Sequence, residues 1–108
     1  MATGIDQGKI DWLLTQAYTK MRHRQYKSSL ALLEGLRVLA PDHPEVYRML
    51  SYTLLQADQP EECLQMVDKY LQYLPSGADD EEIRWIEARA RLRLDKTANG
   101  AQQGETSD

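Results

Sequence analysis

Apolar residues recur at steps of three and four along most of the chain, which is the period of an α-helix with one buried face. The first such stretch predicts a helix over residues 9–21. Its apolar positions are Ile10, Leu13, Leu14, Ala17, Tyr18 and Met21. No stretch of β-branched residues alternates with polar ones, so the pattern favours an all-α fold without a sheet.

Prolines divide the following stretch into helices of similar length. A second helix ends before Pro41, because the residue that precedes a proline disfavours helical geometry. Pro44 and Pro60 stand where the third and fourth helices begin, and the first turn of a helix tolerates proline because its N–H needs no partner. The fourth helix ends before Pro75. The pattern therefore predicts two helical hairpins joined by short turns.

A fifth helix is predicted over about residues 81–94. The acidic run at residues 79–82 places negative charge at its start, which suits the helix dipole. Both ends of the chain are small and polar without an apolar period, so a flexible N-terminus over residues 1–8 and a disordered tail over residues 96–108 are expected. The sequence therefore predicts one helical domain over residues 9–95, between these two ends.

The two hairpins resemble each other at a fixed separation along the chain. Pro41 and Pro75 are 75 − 41 = 34 positions apart, and the residues before them match in register. The matching pairs are Ala17 and Ser51, Met21 and Leu55, Gln25 and Gln59, Ser29 and Cys63, Leu30 and Leu64, and Leu33 and Val67. This separation, called the repeat period below, predicts stacked helix–turn–helix repeats, which form a right-handed stack with a concave face.

In its period, its prolines and its small residues, the chain resembles the tetratricopeptide repeat family. The small residues at the family's close-contact positions are Ala17, Ser29, Ser51 and Cys63. The resemblance implies a right-handed α-solenoid of two hairpins, at about 10–43 and 44–77, with a C-terminal capping helix at about 81–94. Departures from the family pattern are Gln16 and Lys20 in the first repeat, and Leu36 and Tyr70 where alanine is usual.

The first helix of each repeat in that family lines a concave groove, and the resemblance carries nine residues of this chain to such a groove. They are Leu14, Tyr18 and Met21 of helix one, Arg48, Tyr52 and Leu55 of helix three, and Trp85, Arg89 and Leu92 of helix five. Asp11, Glu45 and Glu82 form an acidic lip. Aromatic residues, methionine and arginine are enriched at protein interfaces. We therefore expect an apolar peptide segment to bind, oriented by Arg48 and Arg89; packing or self-association is the alternative interpretation.

Composition excludes several kinds of function. The formal net charge is −4, without the basic excess that nucleic-acid binding usually requires. No apolar run approaches the roughly 20 residues that cross a bilayer, and no secretory signal stands at the start of the chain. The single cysteine, Cys63, excludes an intramolecular disulfide. A cytoplasmic protein is the simplest expectation.

The sequence contains no constellation that indicates catalysis, a metal or a cofactor. His23 and His43 lie in turns without further ligands at metal-binding spacing. A glycine-rich phosphate loop and a serine nucleophile elbow are both missing, so we expect a binding protein and not an enzyme. The basic cluster Lys20, Arg22, Arg24 and Lys27 is interpreted as a solvated turn, the alternative being a patch that steers an acidic partner.

Among small bacterial proteins of the family, the chain resembles the cytoplasmic chaperones of type III secretion systems. The resemblance rests on residues 32–36 and 39–44, the helix at 52–55, the acidic pI and the small size. It implies a protein client, a secreted needle or export-apparatus subunit held in a heterodimer, with a homodimer when no client is bound. Nucleic acid and membrane insertion are not implied. A structural, self-associating adaptor is the alternative.

Chaperone-binding members of the family grip a C-terminal carboxylate with lysine and asparagine at two groove positions. This chain has Leu14, Tyr18, Arg48 and Tyr52 at those positions. The carboxylate clamp is therefore absent, and an apolar ligand is the better expectation.

Overall fold

The computed structural model describes the backbone of residues 6–106 and the side chains of residues 6–97. Within this part of the chain there are five α-helices and no strand, which confirms the predicted all-α fold. The helices are α1 (Gln7–Arg22), α2 (Tyr26–Leu39), α3 (Pro44–Gln56), α4 (Pro60–Tyr73) and α5 (Glu81–Thr106). Of the N-terminus predicted to be flexible, residues 1–8, the first five lie outside the described residues.

The helix boundaries differ from the prediction at both ends of the chain. Helix α1 begins at Gln7, because the carboxylate of Asp6 accepts a hydrogen bond from the backbone N–H of Lys9 at 2.9 Å and caps the helix. Helix α5 continues to Thr106, which corrects the predicted end at about residue 94. Residues 95–106 contain no proline and several strong helix formers, so the helix can continue there although Gly100 and Gly104 disfavour it. Residues 107–108 lie outside the described residues.

The helices form two layers. Helix α1 packs on α2 and α3 packs on α4, so each consecutive pair is a hairpin. Helix α3 also contacts α2, and α5 contacts α4, which joins the hairpins and the last helix into one stack. Contacts of α3 with both α1 and α5 place these three helices side by side in one layer, while α2 and α4 lie in the other.

The turns inside the two hairpins match each other at the repeat period. Arg24 and Asp58 (58 − 24 = 34) have φ angles of 62° and 61°, in the left-handed region that non-glycine residues rarely adopt. Their neighbours make the same backbone hydrogen bonds: Gln25 N–H to the Lys20 carbonyl at 2.8 Å, and Gln59 N–H to the Leu54 carbonyl at 2.9 Å. The sequence period is therefore also a period of the backbone.

Small residues occupy matching buried positions in the two hairpins. Ala17 and Ser51, which are one repeat period apart, are fully buried, and so are Ser29 and Cys63. The hydroxyl of Ser29 donates a hydrogen bond to the carbonyl of Ala17 at 2.8 Å, which joins α2 to α1. A larger side chain at any of these positions would separate the helices.

Helix α3 is covered on both sides, whereas α1 and α5 are each covered on one. Helix α3 buries Val46, Met49 and Thr53. The residues of α1 that stand one repeat period earlier are exposed: Trp12, Thr15 and Thr19. The residues of α5 that stand 37 positions later are buried: Ile83, Ile86 and Ala90. Within the described residues, helix α1 therefore lacks a neighbour on the side where α3 and α5 each have one.

The two departures of the first repeat from the family pattern are polar residues of α1 that are only partly buried. Gln16 and Lys20 are half-buried and polar, whereas Leu50 and Leu54, one repeat period later, are buried in α3. A polar residue is compatible with a helix surface that no preceding hairpin covers. On α5 the opposite side is open, where Arg84, Ala88 and Arg91 are exposed.

Candidate functional site

A cleft crosses the layer formed by α1, α3 and α5, and four of the nine predicted groove residues border it. The cleft encloses about 300 Å³ and is called the central cleft below. Its walls are Tyr18 of α1, Arg48, Met49 and Tyr52 of α3, and Glu82 and Trp85 of α5. The three helices thus present side chains to one shared space, as the predicted register requires.

Three further clefts adjoin the central cleft and share its walls. The Leu14 cleft extends it between α1 and α3, and Tyr18 and Arg48 belong to both. The Arg22 cleft lies beyond Tyr52, and the Arg89 cleft lies beyond Trp85. These last two meet at Gln56. The four clefts together are called the groove, and they bring Leu14, Arg89 and Leu92 next to the residues of the central cleft.

Met21 and Leu55 lie mainly in the core and reach the groove only at the floor of its outer clefts. They are only 5% and 1% exposed, and they contribute little more than the floor of the outer clefts. Each stands four residues after a fully buried small residue, Ala17 or Ser51. Because residues four apart share a helix face, their side chains point between the layers.

Aromatic and aliphatic side chains of the groove remain exposed to solvent. Tyr18 is 41% exposed, Trp85 is 49% exposed and Leu92 is 47% exposed, while Leu14 and Tyr52 are half-buried. Contiguous exposed apolar surface of this kind usually marks an interaction site on a folded protein.

Arg48 is engaged by two glutamates. Its Nε and Nη2 donate to the carboxylate of Glu45 at 2.9–3.1 Å, and its Nη1 donates to Glu82 at 3.0 Å. Burial would lower the pKa of the guanidinium, but the hydrogen bonds and charges of Glu45 and Glu82 outweigh it and raise the pKa above its ordinary value. Arg48 thus links α3 to α5 while it also lines the central cleft.

Two other arginines lie against aromatic rings of the groove. The guanidinium carbon of Arg89 is 5.0 Å from the centre of the Trp85 ring, and that of Arg22 is 5.8 Å from the centre of the Tyr18 ring. Arg22 also donates a hydrogen bond from Nη1 to the Tyr18 hydroxyl at 3.1 Å. Both pairs are four residues apart on one helix, and cation–π attraction holds each guanidinium beside its ring.

Sequence reasoning missed Met49, Gln56, Arg22 and Arg93 as groove residues. Arg22 stands four residues after Tyr18, a spacing that would have placed it beside the ring. Arg93 donates to the backbone carbonyl of Leu55 and pairs with Asp58 at 3.5 Å, so it fastens α5 to the end of α3. No sequence signal indicates that contact, because it joins elements 38 residues apart.

The single thiol of the chain is buried, and the described residues form no metal-binding cluster. Burial raises the pKa of the Cys63 thiol to about 11, which disfavours the reactive thiolate. Residues 6–97 hold no group of three or more histidine, cysteine, aspartate or glutamate side chains placed to bind a metal ion. None of the described helices is long and apolar enough to cross a membrane.

Comparison with known proteins gives no indication of the function of this chain. No protein-family model, curated protein or solved structure matches the chain. The groove therefore has to be interpreted from its own residues and their surroundings.

Proposed function

We propose that the chain is a protein-binding module of the tetratricopeptide repeat kind, a right-handed solenoid of two hairpins capped by α5. The recurrence of the backbone at the repeat period supports this proposal, since the turn residues Arg24 and Asp58 share an uncommon conformation. The buried small residues at matching positions support it too. In this proposal the groove holds an apolar segment of a client protein, and the module carries out no catalysis.

The observation that carries the proposal is the meeting of Tyr18, Tyr52 and Trp85 at the central cleft. Each side chain comes from a different helix, so their meeting depends on the tertiary stack. Large aromatic side chains are over-represented among the residues that dominate binding energy at protein interfaces. A segment lying in the cleft would bury all three rings at once, which is the main source of favourable free energy in such contacts.

The cellular role that we propose is that of a cytoplasmic chaperone of a bacterial type III secretion system. A small secreted needle or export-apparatus subunit would be held soluble, one client per chaperone, until export. The sequence resemblance supports this role, and the exposed aromatic side chains of the groove support binding of an apolar client segment. A groove across only three helices suits one short segment of a client better than a whole folded surface.

Co-expression tests the proposal. The chain would be produced with the needle and export-apparatus subunits of a type III system, one at a time, and each mixture would be analysed by size exclusion with light scattering. The expected result is a one-to-one complex with a subunit that aggregates when produced alone. If every subunit behaves the same with and without the chain, the chaperone role is wrong.

Two tryptophans provide a matched test of the groove itself. Trp85→Ala or Tyr52→Ala is expected to weaken client binding by about 1–3 kcal/mol, as for anchor residues of an interface. Trp12→Ala removes an equally large exposed side chain outside the groove and should leave affinity unchanged. Titration calorimetry, on variants that keep the wild-type circular dichroism spectrum, compares the groove variants with the Trp12→Ala control. Equal client affinities for the groove variants and the control would contradict the groove assignment.

A second candidate function is a self-associating adaptor. It is favoured by apolar side chains that are exposed outside the groove, Trp12 at 62%, Val38 at 80% and Leu39 at 54%. Exposed residues of this kind can join copies of a chain. Light scattering at several protein concentrations decides: a dimer that survives dilution and is abolished by Trp12→Ala favours the adaptor.

A further inference from the structure

The charges of the groove are segregated along its length. Where the Leu14 cleft meets the central cleft, Glu45 and Glu82 surround Arg48 and balance its charge. At the other end, the Arg22 cleft and the Arg89 cleft meet at Gln56, and neither contains an acidic residue. These two clefts are called the basic half below. Their cationic residues are Arg22, Arg24, Arg89, Arg93 and Lys96.

Within the described side chains, arginines without a salt bridge occur only in this basic half. The chain has eight arginines, all within the part whose side chains are described. Five of them form salt bridges: Arg37, Arg48, Arg84, Arg91 and Arg93. The three that form none within residues 6–97 are Arg22, Arg24 and Arg89, and all three line the basic half. In a chain with a net charge of −4, these cations stand out as sites open to an anionic partner.

Two of these arginines are held on opposite walls of the groove. Arg22 lies against Tyr18 of α1, and Arg89 lies against Trp85 of α5. Because each guanidinium already rests on a ring, less side-chain freedom is lost when it binds a carboxylate. The remaining N–H groups of a guanidinium can donate two parallel hydrogen bonds to one carboxylate.

We infer that the client segment is acidic as well as apolar, with its apolar residues in the central cleft and at least two carboxylates in the basic half. This inference rests on the proposed function and specifies its ligand. The glutamates around Arg48 would repel an acidic end, so the charge gradient sets the direction in which the segment lies. The cations are spread over two clefts, which suits several side-chain carboxylates better than a single C-terminal one.

Selection of peptides from a library tests the inference without a known client. Random peptides would be displayed and selected on the full-length chain, on Arg22→Gln/Arg89→Gln and on Arg84→Gln/Arg91→Gln. The last variant removes the same charge from exposed, paired arginines of α5 outside the groove. Wild type and this control are expected to enrich apolar residues together with aspartate and glutamate, whereas the groove variant should enrich apolar residues alone.

Affinities of one selected peptide complete the test. By fluorescence anisotropy in low salt, Arg22→Gln/Arg89→Gln should bind it at least about tenfold more weakly, and added salt should reduce the wild-type affinity. A peptide with glutamine in place of its acidic residues should bind wild type and groove variant equally. Arg22→Lys/Arg89→Lys keeps the charge and should recover part of the loss, provided that circular dichroism shows the same fold.

Each failure has a separate meaning. If wild type selects apolar peptides without acidic residues, the acidic ligand is wrong and the apolar groove stands. If no apolar residues are enriched, the proposed function fails as well. If a short DNA duplex binds more tightly than the best peptide, the basic half serves nucleic acid and the inference is overturned.

Discussion

Thr19 and Thr53 occupy matching places one repeat period apart, yet their hydroxyls have different surroundings. Thr19 is exposed and its hydroxyl donates to the carbonyl of Thr15 at 3.0 Å. Thr53 is fully buried, and its hydroxyl has no hydrogen-bond partner in the described part of the structure. The difference arises because, among the described residues, a preceding hairpin covers α3 and none covers α1. A buried hydroxyl without a partner reduces stability, since it loses its hydrogen bonds to water.

Thr53→Val is therefore expected to stabilise the fold by about 1 kcal/mol, because valine keeps the shape and removes the unpaired hydroxyl. Urea unfolding followed by circular dichroism measures the change. Thr19→Val is the matched control and should change the free energy of unfolding by less than about 0.5 kcal/mol. A destabilised Thr53→Val variant would show that the hydroxyl has a partner.

Cys63 makes stability depend on pH in the alkaline range. Burial raises its pKa from 9.0 to about 11, so between these pH values the unfolded chain loses the thiol proton while the folded chain keeps it. Stability from this residue is complete below pH 9 and is lost as the pH rises to about 11. The loss is at most about 1.4 kcal/mol per pH unit.

Cys63→Ser removes this titration and should fold, because Ser29 occupies the matching position with its hydroxyl bonded to a backbone carbonyl. Wild type should therefore lose more stability than Cys63→Ser when urea unfolding is repeated from about pH 8 to about pH 11. Parallel curves for the two proteins would mean that the thiol ionises equally in both states.

At the scale of the helices, one residue joins α3 to α5. Arg48 binds Glu45 within α3 and Glu82 at the start of α5, and its side chain is 27% exposed. Arg37 forms the same type of pair with Glu34, three residues away, but within α2 alone. The two arginines therefore separate the effect of joining two helices from that of a local ion pair.

Arg48→Met should destabilise the fold by about 1–2 kcal/mol, because it leaves Glu45 and Glu82 close together without a cation between them. Arg37→Met, in contrast, is expected to stay within about 0.5 kcal/mol of wild type. Thermal or urea unfolding of both variants gives the comparison. Equal effects would mean that the link between α3 and α5 adds nothing.

At the scale of the whole molecule, periodicity in the sequence predicted the stack well. The prolines and the helix period located four helices, and the predicted register of helix five placed Trp85 beside Tyr18 and Tyr52. Such predictions succeed because the angle of a side chain around a helix follows from its position in the sequence. Whether the side chain is buried depends in addition on which helices pack against that face.

The same reasoning could not predict how deeply a side chain is buried, which charged residues form ion pairs, or where helix α5 ends. Met21 and Leu55 point toward the expected side, but neighbouring helices approach closely enough to bury them. Arg48 pairs with Glu82, which follows the loop between α4 and α5. The repeat period does not predict the conformation of that loop. The end of α5 depends on helix propensity in a polar stretch, where composition alone favours disorder.

Nuclear magnetic resonance tests the central claim most directly, because the chain has two tryptophans on different faces. A ¹⁵N-labelled sample would be titrated with a peptide selected from the library, and the two indole N–H signals would be followed. Binding in the groove predicts that the Trp85 signal shifts and saturates with the peptide while the Trp12 signal stays in place. A shift of Trp12 with Trp85 unmoved would contradict the groove as the binding site.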